Sequence, residues 1–400
     1  MQTTSGTVDV ARKSRFEPAP KGTANSSVAL CLPTLDDHCD IREWVLYHAT
    51  IGVGKIYMFD TGSVPPLKGL LAGVIESGLV EYHYLKADPA ALANHSAAVT
   101  VEVDSTAGPV QLVIPPPKSP KHGRDWQTNV YGACLKHFGP RHRWMGFIDS
   151  DEYVLLQPGV PSLPALLDWH SGAGGVRLHW RVFSAGQQVL RPRGGVLASY
   201  TDCCPIDDGE HGWTKVFVNP AHTLGALTAH TPRMAQGWDI VDTLGRPARN
   251  TTEDRASTAG YAKTLVTYEG AVLAHYVFRS IQDYVRKVAR GGGDGLKLRT
   301  VDKGFNRPRH CNRRCDAAVP LGRELAARWD LAPRGLPAWC RAGIDATKTM
   351  NQRNGEEALV AWLRQLEAAG TAAVGGALAV DKAAKTRVAA AAGPAAGAVR

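Results

Sequence analysis

The order of apolar runs in this chain predicts an α/β fold built around a central, mostly parallel sheet. Three observations carry that expectation. Strand-like and helix-like segments alternate from Val28 to Leu85. A later apolar run, Trp144 to Ile148, leads straight into Asp149, Asp151 and Glu152, and open α/β sheets place ligands beyond the carboxyl ends of their strands. At 400 residues the chain has room for one large α/β domain with extensions, or for two domains.

Residues 1–27 are polar and read as a flexible leader. Val28 to Pro33 is a short apolar run, which predicts a buried strand. Asp36, Asp37 and Asp40 then offer helix N-caps. The segment Ile41 to Ile51 puts Ile41, Trp44, Val45 and His48 on one helical face, and Gly52 and Gly54 end it. Lys55 to Phe59 reads as a second strand, stopped by Asp60-Thr61-Gly62-Ser63. Leu67 to Glu76 reads as a helix and Leu79 to Leu85 as a third strand. This order predicts parallel pairing with right-handed crossovers.

Residues 87–122 break the pattern. They carry Pro115-Pro116-Pro117 and no clear periodicity, and read as an insertion or long loop within a domain of residues 28–292. A helix at 126–138 follows, then the strand 144–148 and another at 153–156. Residues 174–183, 195–200, 214–218 and 225–230 read as further strands, and 280–290 as a helix. Residues 293–369 are expected to form a helical C-terminal extension whose last helix spans 355–369. Residues 370–400, rich in Ala, Gly and Val, read as a low-complexity disordered tail.

Composition narrows the function classes. With 44% hydrophobic and 21% charged residues, the chain is ordinary for a globular protein, which argues against global disorder. The net charge of +9 would suit an anionic partner. The Lys and Arg residues are dispersed rather than run together, which argues against a nucleic-acid-binding face. No GxxxxGK[ST] loop points to an NTPase. The cysteines Cys31, Cys39, Cys134, Cys203, Cys204, Cys311, Cys315 and Cys340 show no CxxC pair. They read as a mixture of buried thiols and a few disulfides rather than a metal site. Sequons at Asn25, Asn94 and Asn250 permit a secretory route. No apolar run approaches the ~20 residues of a spanning helix. The expectation is therefore a soluble protein, or one whose anchor is encoded outside this sequence.

The acidic cluster carries the chemistry. Two carboxylates one residue apart repel each other unless a cation lies between them. Mg²⁺ or Mn²⁺ takes such oxygen ligands and shares them with substrate phosphates. It would neutralise charge on a departing diphosphate. A lone DxD is more readily a solvated turn after a strand. Here apolar segments flank it on both sides, Trp144 to Ile148 before and Tyr153 to Leu156 after, which favours a buried site.

Several blocks resemble glycosyltransferase family 92. They are Arg42-Glu43-Trp44-Val45-Leu46-Tyr47-His48 with Ile51-Gly52-Val53 and Tyr57-Met58-Phe59-Asp60-Thr61-Gly62-Ser63; Trp144-Met145-Gly146-Phe147-Ile148-Asp149-Ser150-Asp151-Glu152-Tyr153; His179 to Gly186; Thr214 to Pro220 with His230; and Ala274 to Ser280, leading to Lys287 and Arg290-Gly291. The resemblance implies a GT-A fold, a three-layer sandwich with a mostly parallel twisted sheet and a smaller mixed second sheet. It also implies a UDP-sugar donor, a glycan acceptor, Mn²⁺ (or Mg²⁺) dependence, inversion at the anomeric carbon, and galactose as the hexose. It implies a Golgi or secretory-pathway membrane location. This sequence departs from the family in showing no N-terminal anchor, in the length of 87–122, and at Phe183-Ser184-Ala185-Gly186-Gln187.

On that basis Asp149 and Asp151 are the expected metal and diphosphate ligands, with Glu152 in support. His275 follows an apolar run and is either a core histidine or the third metal ligand. Asp60 is either the candidate for donor binding at the end of its strand or a turn-forming residue before Thr61-Gly62-Ser63. Lys215 either pairs with the diphosphate or protects a sheet edge. His230 lines the pocket or is structural, and Trp180 reads as core before sugar platform. An inverting transfer needs a base for the acceptor hydroxyl; Asp208 and Glu210 are the candidates, in a loop after Cys203-Cys204 that reads equally as a solvated acidic loop. Asp207 and Asp239 are further options. The alternative function is a catalytically degenerate nucleotide- or carbohydrate-binding protein on the same fold.

Overall fold

The computed structural model describes residues 16–86, 98–105, 110–115, 125–186, 188, 190–192, 194–226, 228–247, 266–290, 310–332, 335–337 and 340. The helix expected at 355–369 and the tail at 370–400 lie outside those residues.

The fold is mixed α/β. Strands β1 (Val28–Thr34), β2 (Lys55–Asp60) and β3 (Val80–Lys86) pair in parallel, and β6 (Trp144–Gly146) continues that block on the far side of β1. Next come β10 (Thr214–Val218), antiparallel to both neighbours, then β8 (Gly175–Val182), β14 (Ala271–His275) and β7 (Glu152–Leu156). A short strand, β13 (Ile240–Asp242), joins β8 ahead of β14. Small antiparallel pairs lie outside the main sheet: β9 (Asp202–Cys203) with β15 (Arg313–Arg314), and β11 (Thr223–Ala226) with β12 (Pro232–Met234). Each is a two-stranded ribbon; the smaller mixed sheet that the resemblance implied is the run β8–β14–β7, paired once in parallel and once antiparallel.

The segment read as an insertion or long loop carries structure of its own. Strands β4 (Val99–Ser105) and β5 (Val110–Ile114) extend the sheet antiparallel beyond β3. Their Val-rich alternation is a period-2 signal, overshadowed in the sequence by the triple proline that follows.

Alternation along the central strands explains the layers. Val28, Leu30 and Leu32 of β1 enter one core cluster while Ala29 and Cys31 enter the other; Ile56 and Met58 of β2 divide from Tyr57 and Phe59 in the same way. Both sheet faces are therefore covered, as a parallel sheet requires. Helices α1 (Ile41–Thr50) and α4 (Leu163–Asp168) cover one face and helix α3 (Trp126–His137) the other. The link between β2 and β3, expected as one helix, is a 3-10 segment (Leu67–Leu71) running into α2 (Ala72–Glu76).

At ten residues, α1 is shorter than the roughly 12–15 at which isolated helices become marginal. It forms because Ile41, Trp44, Val45 and Leu46 are wholly buried, each worth about 1.5–3 kcal/mol. The aspartates expected to cap it do other work. Asp37 accepts from Thr34 and Ser150, Asp40 pairs with Arg191 and Arg279, and Asp36 accepts the Val64 N–H.

Two further expectations change. Residues 195–200, read as a strand, hold the short helix α5 (Val196–Ser199). Gly195 takes φ +79°, and the buried Glu43 carboxylate accepts from the N–H groups of Val196 (2.6 Å) and Leu197 (3.1 Å), capping that helix from a distant part of the chain. Residues 16–27, read as part of a flexible leader, are pinned instead: Glu17 N–H donates to Arg328 O (2.8 Å), the Trp329 indole donates to Pro18 O (3.1 Å), and Gly22 N–H donates to Ser77 O (3.0 Å). Arg328 closes helix α7 (Val319–Arg328), which falls in the extension expected to be helical.

All eight cysteines are paired, as Cys31–Cys134, Cys39–Cys340, Cys203–Cys315 and Cys204–Cys311. The expected mixture of thiols and disulfides is thus disulfide throughout.

Candidate active site

The topology brings the functional side chains to one edge. Strands β1, β2, β6, β8 and β14 all point the same way, so Thr34, Asp60, Asp149, Val182 and His275 mark one rim. Because β10 runs the other way, its first residues, Thr214 and Lys215, return to that rim. Within β6, Gly146 gives the close approach this packing needs, since a Cβ there would lie 2.3 Å from the Phe217 ring.

The turn that follows β6 is held on every side. The Trp44 indole N–H is shared between the carbonyls of Asp149 (3.1 Å) and Glu152 (2.8 Å). Ser150 Oγ donates to Asp37 (2.5 Å), and Tyr276 N–H donates to Asp151 O (2.8 Å). Glu152 accepts the Asp149 N–H and the Trp180 indole N–H, both at 2.6 Å. Below the turn, Tyr47 donates to Val154 O (2.8 Å) and buried His48 accepts the Val154 N–H at Nε2 (3.4 Å), fastening α1 to β7.

Each DxD carboxylate has its own lysine. Lys215, wholly buried, lies 3.2 Å from Asp149 Oδ1. The same oxygen accepts from Gln127 (2.5 Å) and faces Tyr131 (3.5 Å), neighbours one turn apart on α3. Asp151 pairs with Lys287 and lies 3.5 Å from His275 Nε2. Lys287 reaches it from helix α6 (Ile281–Arg290). A buried network anchors the start of that helix: Arg191 bridges Asp40 and Asp283, Arg279 pairs with Asp40, and Ser280 and Tyr200 donate to Asp283 (2.7 and 3.2 Å).

The electrostatics follow. Burial opposes charge on Asp149, but Lys215, with His230 and His275, outweighs it and holds the carboxyl below its usual range. Burial likewise opposes charge on Asp151, and Lys287, His275 and Arg279 bring it well below. Lys215 is pushed up despite its burial, by Asp149 and Glu152. Glu152 is raised to about 8, chiefly by burial and then by its two aspartate neighbours, against the pull of Lys215. His230 falls to about 3 through burial and the nearby Lys215 cation.

The expected metal triad is only partly assembled. Among the described residues, the group of His, Cys, Asp and Glu that meets metal-ligand spacing is Cys204, Asp208 and Cys311, whose cysteines are spent in a disulfide. Asp149, Asp151 and His275 form no closed cage, because Lys215 and Lys287 hold the two carboxylates separately. Asp151 and His275 still offer adjacent oxygen and nitrogen donors. That fits a Mg²⁺ or Mn²⁺ ion completed by substrate phosphates and water.

Asp60 takes the turn-forming alternative. Its carboxylate accepts from the N–H groups of Gly62 (3.2 Å), Ser63 (2.7 Å) and Leu67 (3.1 Å) and from Tyr82 Oη (2.6 Å), which fills its lone pairs and fixes the loop after β2. Asp208 caps the short turn at Gly209–Gly212 through Glu210 N–H (2.9 Å) and pairs with His310 (2.8 Å). Glu210 is half-buried, while Asp207 and Asp239 are exposed. Gln127, Tyr131, Arg279 and Lys287 were given no role by sequence reasoning. The i, i+4 spacing of Gln127 and Tyr131 was legible; that they face Asp149 was not.

The family model for glycosyltransferase family 92 matches residues 26–237, more than half of the chain. No curated protein matches. One solved structure, described as a mycobacterial protein, is similar at 15% identity and a TM-score of 0.25. The match covers 51% of this chain and 59% of that one, and such a likeness carries no functional argument.

Proposed function

The chain belongs to glycosyltransferase family 92, and from that premise we propose that it moves a hexose, with galactose the candidate, from a UDP-sugar to a glycan hydroxyl with inversion. The observation that carries this reading is the pairing of Asp149 with Lys215 and of Asp151 with Lys287 at one sheet edge. With both carboxylates ionised and both lysines protonated, those four groups sum to zero charge. A divalent cation and a nucleoside diphosphate entering together add nearly opposite charges, so the site accepts them as a pair.

Asp151 and His275 would hold the cation, which when bound supplies Lewis-acid stabilisation of the leaving diphosphate. Lys287, on its helix, stands where it can exchange Asp151 for a phosphate oxygen. Lys215 keeps Asp149 ionised and fixed. Gln127 and Tyr131 orient the same carboxylate, which limits the reorganisation needed when donor binds. The two base candidates, Asp208 and Glu210, stand in the turn before β10, where Asp208 pairs with His310.

The four disulfides support maturation in an oxidising compartment, and a Golgi location is the matching proposal. Among the described residues no helix is long and apolar enough to cross a membrane.

The test is a screen of UDP-sugars with Mn²⁺, read by thermal shift and by release of UDP. Metal-dependent UDP release that is lost in Asp151→Ala is the expected result. Donor binding without turnover would favour the degenerate binding protein instead.

A further inference from the structure

We propose that Trp180, Trp213 and His230 form a pyranose-binding subsite beside the Asp149–Asp151 turn. Its existence rests on the mutual geometry of these three side chains; only its assignment to a transfer reaction rests on the glycosyltransferase reading.

Most large aromatic side chains of this fold are fully buried, whereas Trp180, Trp213 and His230 are each partly exposed. They form one cluster. The Trp213 and His230 rings are 4.9 Å apart, the Trp180 and His230 rings 5.3 Å, and the two indoles 6.2 Å. Trp180 also stands 4.1 Å from the His275 ring, which places the cluster against Asp151.

The Trp180 and His230 rings are each fixed by a hydrogen bond. The Trp180 indole N–H donates to Glu152 (2.6 Å), and its backbone N–H donates to Trp213 O (2.9 Å). His230 Nδ1 bonds the Thr214 carbonyl (2.9 Å), so the proton lies on Nδ1. Nε2 is left with a lone pair. Lys215, Asp149 and His275 are the charged and titratable groups whose fields His230 feels, which sets it over the acidic turn.

A pyranose matches these groups. Its C–H face lies on an aromatic ring, as apolar groups do on π-faces, and its hydroxyls can donate to an imidazole nitrogen. Rings locked beforehand lose little rotamer freedom on binding. The sugar has two sources, the hexose of the donor or the terminal residue of the acceptor, and the experiment separates them.

The full chain is examined by saturation-transfer NMR with methyl galactoside, glucoside, mannoside and N-acetylglucosaminide, and separately with UDP and UDP-galactose. Sugar-ring C–H signals are expected in the wild type. Trp213→Ala and His230→Ala should weaken sugar affinity roughly three- to tenfold, and Trp213→Ala should leave the UDP signal unchanged. Trp213→Phe and His230→Gln should restore most of it. Signals from free glycosides assign the subsite to the acceptor; signals from the hexose of UDP-galactose alone assign it to the donor. The subsite is overturned if the wild type gives no sugar signal, if the variants leave that signal intact, or if they remove uracil signals instead. Sugar binding without UDP binding would leave the subsite standing and sink the nucleotide-sugar reading.

Discussion

Lys215 and Asp149 share an ion pair of 3.2 Å in which the lysine side chain is 0% exposed and the aspartate 32% exposed. The asymmetry decides which partner is costlier to lose. An ammonium stranded without water pays the full desolvation penalty, whereas a partly solvated carboxylate is rescued by solvent. Asp149→Ala should therefore destabilise by about 3–5 kcal/mol, and Lys215→Met by less. Chemical denaturation of both variants checks the order, and the reverse order would refute the argument.

Lys287 and a divalent cation compete for Asp151. Lys287→Met should tighten Mn²⁺ binding by up to roughly tenfold, equivalent to about 1.4 kcal/mol, in calorimetry without donor. Unchanged or weaker Mn²⁺ binding would remove Asp151 from the metal site.

Glu43 gives a pH signature. Burial, with Asp40 adding, raises it to about 7, above its ordinary 4.5. The folded state thus holds this proton more tightly than the unfolded chain does. The associated stabilisation is complete below about pH 4.5 and is lost as pH rises through 7. Over that window Glu43→Gln should gain on the wild type by on the order of 3 kcal/mol, with any loss in capping α5 appearing as a pH-independent offset. The buried histidines, such as His48 at about 3, push in the opposite direction: their neutral forms stabilise above about 6.5, and that is lost as pH falls. For this reason the difference between variant and wild type is the quantity to follow, and a flat difference curve would contradict the assignment.

Cys203–Cys315 and Cys204–Cys311 close nearly the same loop, with sequence separations of 112 and 107. Either bond alone keeps that loop closed. Replacing one pair by alanine should cost little loop entropy, while replacing both should cost about 4–5 kcal/mol. Additive losses from the two pairs would show that local packing, rather than chain closure, is what they supply.

The sequence by itself determined the α/β alternation from β1 to β3, the apolar face of α1, the strand leading into Asp149-Ser150-Asp151, and the family. These features follow from periodicity and from short contiguous motifs, so neighbours along the chain carry them. Tertiary structure decided the rest. Residues 195–200 became a helix because Glu43, far away in sequence, supplies the cap. Asp60, whose turn with Gly62 and Ser63 is local, also received Tyr82 because β3 pairs alongside β2. Asp149 and Asp151 met different lysines because β10 runs antiparallel and α6 folds back over the rim. Partners separated by tens to hundreds of residues are set by sheet order and crossover geometry. No local pattern records them.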